Sequence, residues 1–241
     1  MHRIRHILST ALITAAVVLF LDIGLTLIYE EPLSSLYASV QQSKAADQLN
    51  ETEASYPTRG DQRAIEEIRN RKHRIAALAR RFATHAETGE AIGRIRAPAM
   101  DDLDMVFVQG TDTASLEKGP GHFPETPFPG QNGTVGIAGH RTTYLAPFRH
   151  IDSMERGDKV FLEMPYATIV YRVQKTEIVD PTDVQVVDYV GYERLVLSAC
   201  HPLYSAEHRF IVFARGVGER LSPRALAAVK RAAKKRAAPS S

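Results

Sequence analysis

The sequence predicts a mainly β domain held on an N-terminal helical segment. Three observations carry this. From residue 92 onward, short runs of strand-forming residues follow one another, separated by turns rich in Gly, Pro, Asp and Asn. No long helical pattern interrupts them. Ahead of them the texture is helical, first as one long apolar run and then as apolar residues at three- and four-residue spacing.

Residues 1–31 open with Arg3 and Arg5. Residues 7–28 then carry Asp22 as their one charge. Twenty-two residues at about 1.5 Å each reach roughly 33 Å, enough to cross a bilayer. The basic N-terminal flank predicts a cytoplasmic N-terminus. The run is longer than the apolar core of a cleaved signal peptide, so an uncleaved single-pass anchor is expected, with the body outside the membrane. Residues 32–91 read as a stalk, polar and helical or irregular to residue 60. An amphipathic helix follows from an Asp61 N-cap to about residue 84, with Ile65, Ile68, Ile75, Leu78, Ala79 and Phe82 on one face.

Residues 92–218 form the predicted β domain. Its strands are expected at 92–97, 105–109, 134–139, 159–164, 168–179, 194–200 and 208–215. Helical turns are expected at 112–118 and 144–152. Seven or eight short strands without long helices between them suggest an antiparallel sandwich or barrel. Residues 219–241 are a basic tail with seven Lys and Arg against Glu219 alone. Ser222-Pro223 reads as a helix start, so a short basic helix on an anionic membrane or wall polymer is one expectation and a frayed terminus the other. The whole chain is only +2, with 44% hydrophobic and 24% charged residues. That balance fits a globular core and argues against bulk nucleic-acid binding.

Cys200 is the single cysteine. In an exported chain it has no internal disulfide partner, which leaves an intermolecular bond, a buried inert thiol or a reactive one. A reactive thiol needs a base and an oxyanion donor nearby. His140 ends the strand-like run at 134–139, and Arg209 opens the last strand nine residues after Cys200. If the two last strands are neighbours, Cys200 and Arg209 share a rim. Spacing alone does not single them out, because the chain has nine histidines and both His201 and His208 lie nearer to Cys200.

Two segments carry a resemblance. Gly136-Ile137-Ala138-Gly139-His140-Arg141-Thr142-Thr143-Tyr144 and Leu195-Val196-Leu197-Ser198-Ala199-Cys200-His201-Pro202, with Tyr204, Ser205 and Arg209, resemble bacterial sortases. The His-Arg-Thr-Thr-Tyr and Cys-His-Pro forms, with Gly119-Pro120-Gly121-His122-Phe123-Pro124 upstream, look most like the class E housekeeping group of actinobacteria. The resemblance implies an eight-stranded sortase β-barrel and a cysteine transpeptidase without metal or cofactor. Cys200 would attack the Thr–Gly carbonyl of a Leu-Ala-x-Thr-Gly or Leu-Pro-x-Thr-Gly sorting signal on a secreted protein. His140 would be the acid–base partner and Arg209 the oxyanion and substrate holder. The acceptor would be an amine of a peptidoglycan precursor such as lipid II. Tyr144, Ser198, Ala199 and His122 are the candidate substrate-binding residues. Where the family usually has threonines before the nucleophile, this chain has Val196 and Ala199, so a hydroxyl beside the thiol is expected to be missing. The segment Asp101-Asp102-Leu103-Asp104 lacks the proline and aromatic of a pilin-sortase lid. Two other functions stay open: a non-catalytic scaffold domain with an inert Cys200, and a cysteine peptidase that passes the acyl group to water.

Overall fold

Eight strands are present: β1 (Ala91–Ala97), β2 (Leu103–Gln109), β3 (Gly121–His122), β4 (Thr134–Ala138), β5 (Lys159–Glu163), β6 (Ala167–Val179), β7 (Arg194–His201) and β8 (His208–Leu221). They close into a barrel in the order β1-β2-β3-β4-β7-β8-β6-β5, with β5 paired back to β1. The β2–β3 and β4–β7 pairs are parallel, and the others are antiparallel. This computed structural model describes residues 2–29 and 32–237; for 2–4, 22–23, 25–29, 32–33 and 235–237 the description stops at the backbone. The eighth strand, β3, is two residues long and falls below any periodicity signal.

The alternation along β7 sets the site. Leu195, Leu197 and Ala199 belong to the main core inside the barrel. Val196 joins Ile211 and Phe213 of β8 in a separate cluster on the outer face, covered by Val179, Val186 and Val187. The last two belong to the one-turn 3₁₀ helix Val184–Val187. Both faces are therefore buried, which is why β7 reads as one continuous apolar run.

Among the described residues six α-helices accompany the barrel: α1 (His2–Tyr29), α2 (Pro32–Ser55), α3 (Arg59–Ile65), α4 (Arg71–Ala83), α5 (Thr113–Leu116) and α6 (Pro223–Ala237). The polar segment expected as a stalk is helix α2, and it is packed on the barrel. Its Gln42 side-chain amide donates to the carbonyls of Val106 (2.9 Å) and Lys118 (2.6 Å), and its Oε1 accepts from the Val106 N–H (3.0 Å). Ala45 and Leu49 bury against Ala91 and Val106.

The single helix expected from residue 61 to 84 is two helices. Thr58 is the N-cap of α3, and Asp61 closes a capping box with it from the third helical position. Asn70 caps α4 by accepting the His73 N–H at 3.2 Å. Local side-chain to backbone bonds at 58–61 and 70–73 outcompete a continuous ladder. Asp61 also ties α3 to α4 through the Arg81 guanidinium at 2.5 Å. Ile75, Leu78, Ala79 and Phe82 then bury in the main core, each large apolar side chain stabilising by roughly 1.5–3 kcal/mol.

The segment at 144–152 differs from its expected helical turn. Tyr144, Leu145 and Ala146 all have positive φ (51°, 64° and 41°), and only Ile151–Ser153 forms a 3₁₀ turn. The described side chains of α1, residues 5–21, are exposed. The expected span over residues 7–28 runs into residues whose side chains, Asp22 included, lie outside the described set. Among the described residues, no helix is long and apolar enough to cross a membrane.

Candidate active site

Three adjacent strands, β4, β7 and β8, bring the reactive groups to one rim. In the parallel β4–β7 pair, Ala138 stands beside Ser198. The pairing runs one residue further, where the Gly139 N–H donates to the Ser198 carbonyl at 3.1 Å. His140 therefore leaves β4 level with the end of β7, where Cys200 sits. In the antiparallel β7–β8 pair, Cys200 is directly opposite Arg209. Directly opposed residues project to the same face of a sheet, here the outer face that also carries Val196 and Ser198. The thiol is partly exposed.

The geometry at His140 follows from its neighbours. A Cβ on Gly139 would lie 2.7 Å from the Phe148 ring, so glycine is needed for close packing, not for its φ. The fully buried Phe148 donates its N–H to the His140 carbonyl at 2.9 Å, closing the loop behind the imidazole. The ring lies 5.4 Å from that of Tyr144, whose hydroxyl donates to the Glu117 carboxylate at 3.1 Å. His140 Nε2 is buried and, among the described residues, has no hydrogen-bond partner. Buried polar atoms are almost always paired, so this nitrogen is a candidate for a functional role. Burial pushes the His140 pKa down, and the Glu117 charge pushes it back up by less. A pKa held below the ordinary 6.5 keeps the imidazole neutral at neutral pH.

One residue of the site was not singled out from sequence. Arg141 is 3% exposed, although it follows His140 directly. Its Nη1 reaches the Cys200 carbonyl (3.4 Å) and His201 Nδ1 (3.2 Å). Its Nε and Nη2 donate to the Arg149 carbonyl at 3.4 and 3.3 Å, and Nη2 pairs with Asp152 at 2.8 Å. This guanidinium locks the His140 loop to the backbone of Cys200. Its position inside the His-Arg-Thr-Thr-Tyr motif was the available signal; its partners, at 8, 11 and 59 residues' separation, follow no period.

The other candidates separate clearly. Arg209 is half-buried and donates through Nη1 to the Ala206 and His208 carbonyls, both at 3.0 Å, which fixes it over the β7–β8 turn. Tyr144 flanks His140. Ser198 shares the outer face with the thiol and is 9% exposed. Ala199 does not line the site: it is 3% exposed, points into the barrel core and stands opposite Phe210. The residue at 199 therefore faces away from the thiol, and the expected loss of a hydroxyl beside the nucleophile is corrected. His122 offers substrate no surface either. It is fully buried in β3, with Nδ1 2.9 Å from Gln109 Oε1 and Nε2 3.2 Å from both the Pro127 carbonyl and Thr126 Oγ1.

With this geometry in hand, the comparisons with known proteins are specific. The family model described as a sortase domain matches residues 95–217. Sortase D of Bacillus subtilis is 34% identical over 135 residues, 54% of this chain and 66% of that protein. Sortase SrtE1 of Streptomyces coelicolor is 29% identical over 149 residues, 56% of this chain and 42% of that protein. The structure of sortase E from Streptomyces avermitilis superposes with a TM-score of 0.51 at 31% identity, covering 58% of this chain and 99% of that one. The chain thus spans less than two thirds of the length of the curated relatives it matches.

Proposed function

The chain belongs to the sortase family, known cysteine transpeptidases, and on that premise we propose that it is a membrane-anchored transpeptidase of sorting signals. The reading rests on one observation above all: Cys200 opposite Arg209, with His140 and its unpaired Nε2 just past the end of the neighbouring strand β4. Cys200 Sγ attacks the Thr carbonyl of a sorting signal as His140 takes its proton. Arg209 and nearby N–H groups balance the oxyanion. The Thr–Gly C–N bond breaks, and the His140 imidazolium protonates the leaving glycine amine. An acceptor amine then loses its proton to His140 and displaces the thiol from the thioester. The acceptor is proposed to be an amine of a lipid-linked peptidoglycan precursor, and the donors secreted proteins with C-terminal sorting signals.

Anchoring through α1 is supported by the single charge over residues 7–28 and by the exposed apolar side chains among its described residues, Ile7, Leu12 and Phe20 included. Class E is supported by the His-Arg-Thr-Thr-Tyr motif and by the 31% identity to a sortase E structure. A class D reading is favoured by the 34% identity to Sortase D.

Mass spectrometry of the full chain with Leu-Ala-x-Thr-Gly and Leu-Pro-x-Thr-Gly peptides plus a diaminopimelate-like amine tests all of this. A thioester on Cys200 and an amine-dependent product are expected, with the alanine signal preferred if class E holds. Cleavage that persists in Cys200→Ala overturns the assignment. Release to water unaffected by amine identifies a peptidase.

A further inference from the structure

Two basic segments far apart in sequence meet in the fold. Residues 59–81 carry eight Lys and Arg against Asp61, Glu66 and Glu67, and residues 224–236 carry six with no acid. Helix α6 packs its buried Ala225 and Ala228 inward. It also touches α3, where Arg231 Nη2 reaches Gln62 Oε1 at 3.5 Å. Between them runs a groove of about 360 Å³, walled by Ile65, Val229, Ala232 and Ala233, with Arg74 and Glu66 supplying its charge. Arg63, Arg69, Lys72, Lys230, Arg231 and Lys234, from the same two segments, are exposed. Among the described residues none of these six meets a carboxylate; in this layer Arg81 and Arg71 do, with Asp61 and Glu219. Like charges gathered without partners raise the free energy of the isolated protein, and an anionic ligand relieves it.

The position of this face decides what the ligand is. Helix α6 follows β8 at the end opposite Arg209, and twelve residues of strand separate them by about 40 Å. Helix α2 gives the same answer. Ser34, near its start, lies beside the Tyr144 loop, with its Oγ 3.5 Å from the Tyr144 N–H. Ser55, at its end, accepts from Arg224 of α6 at 3.4 Å. Those 21 residues of helix span about 32 Å. The end of α1 is two residues from α2, so a bilayer around α1 lies at the catalytic end. The basic face lies some three Debye lengths away at ordinary ionic strength, about 10 Å each.

We propose that the α3–α4–α6 face docks a linear phosphate-bearing polymer outside the membrane, holding the catalytic rim toward the bilayer. The Arg-rich rim suits phosphate, whose oxygens the guanidinium fork matches, and the apolar groove floor suits the uncharged backbone between phosphates. The choice of polymer over lipid rests on the anchoring of α1 proposed above.

The test uses the full chain in zwitterionic nanodiscs and inorganic polyphosphate as probe. Wild type is expected to bind in a salt-sensitive way. Two variants, Lys230→Gln/Arg231→Gln/Lys234→Gln on α6 and Arg63→Gln/Arg69→Gln/Lys72→Gln on α3, the α3–α4 connection and α4, are each expected to weaken binding roughly tenfold and flatten the salt dependence. Peptide transfer in solution should stay at the wild-type rate. No binding, or binding that both variants retain, overturns the proposal. Capture by anionic lipid vesicles through these residues without polyphosphate binding also overturns it, making the face a lipid one. Polyphosphate binding that survives loss of all peptide cleavage leaves this inference standing and removes the transpeptidase reading instead.

Discussion

Two histidines, the fully buried His122 and the half-buried His140, divide structure from chemistry in this barrel. Burial depresses both, yet their nitrogens are treated differently. At His122 both nitrogens have partners inside the core, and the pKa falls to about 4. At His140, Nε2 has none, Tyr144 leans on the ring, and the loop behind it is clamped by Phe148 and Arg141. Burial alone therefore does not make a histidine functional. What separates His140 is a ring nitrogen left unpaired among the described residues, just past the strand that runs beside Cys200.

The largest expected effect breaks the comparison if it fails. His140→Asn should lower kcat/KM for peptide transfer by roughly 10²–10⁴-fold with little change in melting temperature, and Cys200→Ala should abolish thioester formation. Equal activity in His140→Asn would place the acid–base role elsewhere.

The His122 arm is read as stability. Its folded pKa of about 4 lies below the ordinary 6.5, so the unfolded chain binds more protons between these values. The stabilisation is full above pH 6.5 and is lost as pH falls toward 4, by about 3 kcal/mol. Chemical denaturation from pH 7 to 4 should show this slope in wild type and lose it in His122→Asn, while folded His122→Asn still transfers peptide.

Arg141→Gln tests whether the clamp serves the chemistry. It should cut transfer roughly 10²-fold through displaced groups, mainly in kcat, since the guanidinium holds the backbone around Cys200 without facing the solvent. Titration of His140 by NMR should shift in this variant; an unmoved His140 with full activity would reduce Arg141 to packing.

The smallest effect is expected at Ala199→Thr. Its hydroxyl would enter the barrel core, costing about 1–3 kcal/mol of stability, with transfer rates little changed. A marked change in peptide preference would show that residue 199 reaches the substrate after all.

Much of this was legible from sequence. The strand runs with their Gly and Pro turns announced a β domain, sandwich or barrel, because alternation and turn chemistry are local properties; the barrel came from the family resemblance, and the parallel β2–β3 and β4–β7 pairs were not foreseen. Cys200, His140 and Arg209 were legible through parity, strand ends and motif. What escaped was non-local or short. The two-residue β3 is too brief to carry a period. The break between α3 and α4 turns on Thr58 and Asn70 competing for backbone groups. The packing of α2 depends on Gln42 meeting Val106, 64 residues away.

The sequence by itself determined which reactive groups the chain carries, since a lone thiol, imidazoles and guanidiniums are fixed by residue type. Only the tertiary structure decided which neighbours face them. The pleat of β7 turns Ala199 into the core and Cys200 out toward Arg209, because successive residues of a strand point to opposite faces. Closure of the barrel buries His122 among partners and leaves His140 Nε2 without one. The same closure carries two basic segments, some 160 residues apart, to the end of the molecule away from the nucleophile. Electrostatics then acts on their distance in space, where the sequence records only their distance along the chain.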